Sequence, residues 1–238
     1  SSSGLRARRK FLFQTSVTNK LILINVFFFI FAVFAMIIIG EKAFSYVSLK
    51  PNDIMQGKNL WTLLTHMFMH APGGIIPFLS FHLLVNMFVL FSLGNLSEKI
   101  IGKKRYLWFY LLSGLMAGLV FVFLAYFFGT TKLGAAIFGS PDVAAVGASG
   151  AIFAIAGLFM ILTPRLRFMI IFFPFFSLPA YLMIPLVLLL TWIISSSVGV
   201  GVGNTAHLGG LLAGIIYGVY LRQKYKKKTR LLSRYFAQ

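Results

Sequence analysis

The sequence has no cysteine and little charge. Only 11% of its 238 residues are charged, and only 4 of them are acidic. The absence of cysteine excludes disulfide bonds and thiol chemistry. A soluble domain of this length carries about 25% charged residues, so the shortage of charge argues against a soluble protein.

Long apolar stretches take the place of the missing charge. Hydrophobic residues make up 59% of the chain, and several runs reach roughly 18 residues, the length that spans a bilayer. Backbone groups inside a bilayer must bond within their own segment, so these runs are predicted to be helices. We predict an all-α membrane protein with six transmembrane helices, at 21–39, 79–95, 106–128, 146–162, 168–195 and 204–221.

Basic residues are concentrated on one side of this arrangement. If the N-terminus is cytoplasmic, all but four of the 22 basic residues fall in inner segments, as the positive-inside rule requires. The exceptions are Lys42, Lys50, Lys58 and Lys132. Both termini are therefore predicted to be cytoplasmic. The predicted regions are a basic segment at 1–20, a membrane domain at 21–221 with a long outer loop at 40–78, and a polybasic tail at 222–238.

The net charge of +18 would also suit a nucleic-acid partner. Because the charge is confined to segments beside the predicted helices, contact with anionic lipid headgroups explains it better. We therefore predict a lipid bilayer as partner and no nucleic acid.

Five polar side chains gather near the predicted outer face. His66 and His70 lie in the outer loop, and His82 opens the second helix. Ser149 lies near the outer end of the fourth helix, and His207 lies near the start of the sixth. Polar groups are costly inside a membrane and indicate a functional site there.

Small residues surround Ser149 and follow His207. The stretch "AAVGASGAIFA" at 144–154 includes Gly147, Ala148 and Gly150. Three glycines follow His207 at four-residue spacing, and they are Gly210, Gly214 and Gly218. Such a stripe allows another helix to approach closely. If the fourth and sixth helices pack through these residues, Ser149 and His207 meet at the same depth.

This pairing would suit acyl transfer, because a serine hydroxyl becomes nucleophilic when a histidine takes its proton. No acidic residue lies near His207 in the sequence, so a dyad is predicted rather than a triad. Unpaired amides at the start of the fourth helix and the side chains of His82 and Asn86 are candidate oxyanion donors. His82 and Asn86 share one helix face, and hydrogen bonds between helices would explain them equally well.

Other site classes fit less well. "GASGA" resembles the G-x-S-x-G nucleophile elbow, but it lacks the last glycine and no strand precedes it. His66 and His70 could bind zinc with His82 or His207, yet H-E-x-x-H is absent and no carboxylate adjoins them. We predict no metal and no cofactor. A transporter or channel would carry polar residues across the whole bilayer, whereas here they gather on one side.

Taken together, the motifs resemble those of the rhomboid family of intramembrane serine proteases. The matching stretches are "LWTLLTHMFMH", "FHLLVNMF", "EKIIG", "GASGAIFAIAG" and "NTAHLGGLLAG". The resemblance implies a six-helix rhomboid-like bundle that cleaves transmembrane substrates, in the cell membrane of a prokaryote. A rhomboid-like pseudoprotease is the alternative, but such proteins lack the serine or the histidine.

The resemblance also implies roles for individual residues. Ser149 would be the nucleophile and His207 the general base. His82, Asn86 and the Ala148 and Ser149 amides would form the oxyanion hole. Four residues would support the site by packing, namely Gly147, Gly150, Phe153 and Gly210.

Substrate entry would be lateral, past a mobile fifth helix that is bent by Pro174, Pro179 and Pro185. The chain departs from the family pattern at Thr62, where arginine is frequent, and at Phe153, where tyrosine is frequent. The stretch between His70 and His82 is longer than in compact members. The sequence predicts neither the substrate nor the oligomeric state.

Overall fold

The computed structural model describes residues 16–40, 42–72, 80–170, 173–198 and 203–236. Most of the basic segment predicted at 1–20 and part of the predicted outer loop lie outside these ranges. The elements are α1 (Val17–Ile39), α2 (Lys42–Ser45), α3 (Pro51–Met55), α4 (Thr62–Thr65), α5 (Phe81–Val89), α6 (Asn95–Ile101), α7 (Lys103–Phe128), α8 (Lys132–Phe138), α9 (Ser149–Leu162), β1 (Arg167–Ile170), β2 (Phe173–Pro179), α10 (Ala180–Val198), α11 (Asn204–Lys224) and α12 (Lys226–Tyr235).

Four helical segments are long and apolar enough to cross a membrane. They are Val17–Ile39, Phe81–Ile101, Lys103–Phe128 and Ala180–Ser197. The second runs through α5 and α6, which are joined by a π-helical turn at Leu90–Gly94, so it ends six residues beyond the predicted 95. Helix α9 is a shorter apolar helix of 14 residues. The chain is an integral, multi-pass helical membrane protein.

Helix α1 exposes large apolar side chains along its length. Phe27 is 63% exposed and Ile38 is 79% exposed. Exposure of such an apolar surface to water is unfavourable, whereas contact with lipid chains is not. The opposite side of α1 packs inward through residues that include Leu21, Phe29 and Val33. The pattern therefore identifies one face of α1 as lipid-facing.

Helix α9 lies at the centre of the bundle. Ten of its 14 residues are buried, as expected for a helix that is apolar on all sides. It lies against α11 at backbone contact distance. A Cβ added to Gly210 would overlap the carbonyl oxygen of Gly150, and one added to Gly214 would overlap that of Ala154. Glycine is required at both positions because the backbones leave no room for a side chain.

The fifth helix begins later than predicted. The predicted helix began at 168, but strands β1 and β2 pair there in antiparallel fashion, with Arg167 opposite Pro179 and Met169 opposite Ser177. The fold is therefore helical with one small hairpin rather than strictly all-α. The segment is rich in aromatic and β-branched residues, which favour strands. Pro174 and Pro179 lie in β2, so of the three prolines only Pro185 lies within α10.

Glu98 fixes the start of α1. Its carboxylate accepts hydrogen bonds from the backbone N–H groups of Val17 (3.0 Å) and Thr18 (2.9 Å) and from the Thr18 hydroxyl (3.0 Å). These amides belong to the first turn of α1, which has no carbonyl partners for them. A carboxylate is also favoured by the positive end of the helix dipole. Glu98 is thus a structural cap, and it ties α1 to α6.

Candidate active site

Ser149 and His207 are brought together by α9 and α11. The Ser149 Oγ and the His207 Nε2 lie 2.8 Å apart, a hydrogen-bond distance. Ser149 is the first residue of α9 and is partly exposed, whereas His207 lies in the first turn of α11 and is buried. The glycine contacts between the helices bring both residues to this depth. A nucleophile and a base in this arrangement can act on a carbonyl group.

The His207 ring is held against Phe153. Their ring centroids are 4.5 Å apart with an interplanar angle of 22°, a stacked arrangement. Phe153 lies one turn after Ser149 on α9, so a single helix carries both the hydroxyl and the surface on which the imidazole rests. The His207 Nδ1 is buried and bonds to no other group in the described chain.

The turn that leads into α9 is held by the outer loop. Gly147 has φ +125°, a backbone conformation that side chains other than glycine rarely adopt. Its N–H donates to the carbonyl of His66 (2.9 Å). Leu49 and Ala145 exchange two backbone hydrogen bonds, of 2.9 and 2.8 Å. No sequence motif indicates these contacts, because they involve backbone groups rather than side chains.

His82 lies beside the same turn. A Cβ built on Gly147 would be 3.1 Å from the His82 Nε2 and 3.7 Å from the Ser149 Oγ. The imidazole edge and the hydroxyl therefore border one small space above Gly147. In the described chain the amides of Ala148 and Ser149 donate to no backbone carbonyl. Both can donate to a group that enters from outside.

Asn86 lies one turn after His82 and is buried. Its Nδ2 donates to the carbonyl of His82 at 2.8 Å. This hydrogen bond stays within α5. It is therefore not one of the hydrogen bonds between helices that would have explained Asn86 without a role in the site. It orients the amide while leaving a second N–H on the same nitrogen. The oxyanion role of Asn86 stays a prediction.

His66 and His70 pack inside the outer loop. The His66 Nδ1 lies 2.8 Å from the Thr62 carbonyl, and the His70 and His82 ring centroids are 5.2 Å apart. Burial lowers the pKa of His66 to about 4. The pKa of His70 is lowered to about 3, also mainly by burial. Both buried rings are therefore uncharged near pH 7.

Among the residues that the structure describes, no three His, Asp or Glu side chains are grouped closely enough to hold a metal ion. Of the four histidines, His70 packs against His82, His66 bonds within the loop and His207 lies beside Ser149.

Thr62, at the position where arginine is frequent, is buried in the loop. Its hydroxyl donates to the Asn59 carbonyl at 2.7 Å. The neighbouring Trp61 is exposed, and its Nε1 donates to the Tyr46 carbonyl at 2.8 Å. Local hydrogen bonds thus hold this part of the loop without an arginine.

Comparison with known proteins identifies the family. The family described as Rhomboid domain matches residues 57–224. RHOMBOID-like protein 4 of Arabidopsis thaliana is 30% identical over 173 residues, which are 73% of this chain and 37% of the plant protein. Rhomboid protease GlpG of Haemophilus influenzae is 25% identical over 190 residues, which are 79% of this chain and 83% of that protein.

These matches include both halves of the site. The matched region contains Ser149 and His207, the outer-loop histidines and the glycine contacts between α9 and α11. A plant and a bacterial protein both match, so the prokaryotic cell membrane expected from the sequence stays a prediction. The chain belongs to the rhomboid family of intramembrane serine proteases.

Proposed function

We propose that the protein is an endopeptidase that cleaves transmembrane segments of other membrane proteins through a Ser149–His207 dyad. The observation that carries this proposal is the 2.8 Å contact between the Ser149 Oγ and the His207 Nε2. The contact lies at the end of two helices whose backbones approach closely at Gly210 and Gly214. A hydroxyl and an imidazole held in this way need no further movement to exchange a proton.

In the proposed reaction, His207 takes the Ser149 proton on Nε2 while the oxygen attacks the scissile carbonyl carbon. This role requires the neutral tautomer with its proton on Nδ1. The tetrahedral intermediate collapses when His207 returns the proton to the leaving amine, which leaves an acyl-enzyme on Ser149. A water molecule, deprotonated by His207, then releases the acid and restores the hydroxyl.

The oxyanion would occupy the space above Gly147. The Ala148 and Ser149 amides, the His82 imidazole and the Asn86 amide would donate to it. A bare Cα at Gly147 lets the carbonyl oxygen approach, because a side chain there would meet the His82 ring. Gly150 supports the site by allowing α7 to pack against α9, because a Cβ at this position would lie 2.7 Å from the Ala117 Cβ.

The hydrolysed bond would belong to a transmembrane substrate in the bilayer. We propose six spans, with α9 and α11 completing the four apolar segments, and both termini in the cytoplasm. The regions would be those expected from the charge distribution: 1–20, 21–221 with the outer loop at 40–78, and 222–238. The site then opens toward the outer face, which is where water would reach it.

Labelling by a fluorophosphonate probe tests the nucleophile. We expect the intact chain to be labelled, because the probe phosphorylates an activated serine, and Ser149→Ala to be unlabelled. Ser197→Ala, which removes an exposed hydroxyl in α10, is the matched control and should be labelled normally. Equal labelling of Ser149→Ala would remove the basis for the proposal.

The orientation is testable because the chain has no cysteine of its own. Single cysteines at Val143 and Lys228, both exposed positions, leave the site contacts in place. In intact cells, an impermeant thiol reagent should modify the cysteine at 143 and spare the one at 228. After the membrane is opened, both should react. The reverse pattern in intact cells would overturn the orientation.

The oxyanion role of Asn86 predicts a specific kinetic defect. Asn86→Ala should lower kcat by about ten- to a thousandfold, because one donor to the oxyanion is lost, and should change the melting temperature little. Asn95→Ala is the matched control. Asn95 makes the same bond to the carbonyl four residues earlier, Nδ2 to Phe91 at 2.8 Å, but lies on α6. A lowered melting temperature with normal kcat would make Asn86 a structural residue.

A further inference from the structure

A cavity of about 520 Å³ lies at the other end of the two catalytic helices. Its floor is apolar and includes Ile161 of α9 and Val219 of α11. From Ser149 to Leu162, α9 rises by roughly 20 Å at about 1.5 Å per residue, so the cavity is well separated from the dyad. No part of the proposed reaction uses it.

The wall of the cavity is strongly basic. Arg222 comes from α11, and Lys226, Arg230 and Arg234 come from α12. The last three are four residues apart, so they project from one face of α12. Like charges at this spacing destabilise a helix. An anion bound between them would remove that repulsion.

The described chain offers these cations no anion of its own. The ion pair found in the structure joins Lys50 and Asp142, far along the sequence. Glu98 is committed to capping α1. Neither Gln223 nor Ser233, which also line the cavity, hydrogen-bonds to another described residue through its side chain, so both can donate to an added oxygen.

The surroundings of the cavity indicate a lipid rather than a soluble anion. On the neighbouring side of α12, Leu231 is 66% exposed and Tyr235 is 72% exposed. A basic helix with such side chains lies at a membrane interface. Leu232, which also belongs to α12, packs against the core of the bundle. Helix α12 is therefore fixed to the protein on one side and apolar on another, with the basic cavity between the two.

We propose that this cavity binds the phosphate headgroup of one anionic phospholipid. The guanidinium groups of Arg222, Arg230 and Arg234 would hold the phosphate oxygens, since arginine pairs with phosphate through two parallel hydrogen bonds. The glycerol and the first carbons of the acyl chains would lie on Ile161 and Val219. A zwitterionic lipid binds less well, because its ammonium group would meet only cations.

The test compares two double variants that remove the same charge. Arg230→Gln/Arg234→Gln changes the cavity wall, whereas Lys227→Gln/Lys228→Gln changes exposed lysines of α12 that do not line it. The full chain, purified in detergent, is titrated with short-chain phosphatidylglycerol and with phosphatidylcholine, and bound lipid is counted by native mass spectrometry. Arg222→Gln, in α11, gives the same information without altering α12.

We expect one phosphatidylglycerol per chain, bound in preference to phosphatidylcholine. The affinity should fall at least about tenfold in the cavity double variant, fall also in Arg222→Gln, and stay nearly unchanged in the lysine variant. Equal losses in the two double variants would show diffuse attraction and overturn the proposal. Displacement of the lipid by inorganic phosphate, or tighter binding of an RNA oligonucleotide through the same arginines, would overturn it too.

Discussion

His207→Ala should slow cleavage nearly as much as Ser149→Ala, by on the order of 10³-fold or more in kcat/KM. The two side chains share one hydrogen bond of 2.8 Å, and each is useless for proton transfer without the other. The double variant should therefore lose at most severalfold more than either single variant. The measurement is cleavage of a fluorogenic transmembrane peptide by the protein in liposomes.

Two observations would contradict a dyad. Losses that multiply in the double variant would mean that Ser149 and His207 act separately. Full activity in Ser149→Ala would mean that another group is the nucleophile. The melting temperature of each variant is the control, because Ser149 is only partly buried and His207 can be replaced without adding volume to the core.

Four of the predicted spans correspond to long apolar helices of the structure, and they were predictable because bilayer thickness imposes a minimum length on apolar runs. The proximity of Ser149 and His207 was also accessible, because glycine at four-residue spacing marks where backbones approach. In the structure Gly210 and Gly214 lie against carbonyl groups of Gly150 and Ala154. The length of an apolar run and the spacing of glycines are local patterns, so both can be recognised in a single sequence.

Features that depend on distant backbone contacts were not accessible. In the apolar run from 168 to 195, the aromatic residues and prolines of the first part favour strands, but they do not determine which segment a strand pairs with. The carbonyl of His66, which holds Gly147, carries no side-chain signal at all. The position of His82 beside Gly147 was not accessible either, because a helix face alone does not determine which neighbour it meets.

The close packing of α9 and α11 positions Ser149 and His207, so Gly210→Ala should lower both stability and activity. The added methyl group would overlap the Gly150 carbonyl, so α11 must move away from α9 next to the dyad. Overpacking costs about 1–3 kcal/mol, which should lower the melting temperature. A shift of about 1 Å between reacting groups can cost roughly 10²-fold in rate, and we expect kcat/KM to fall by about that factor.

Two further variants separate loss of stability from loss of geometry. Gly214→Ala would overlap the Ala154 carbonyl one turn further from the dyad, so it should lower the melting temperature similarly but reduce the rate less. In Gly203→Ala the methyl group would lie 3.6 Å from the Ala206 Cβ, an ordinary contact, and both properties should stay near normal. If Gly210→Ala and Gly214→Ala lose activity equally, their effect is on stability alone. If Gly210→Ala leaves rate and melting temperature unchanged, the close approach of α9 and α11 does not set the distance between Ser149 and His207.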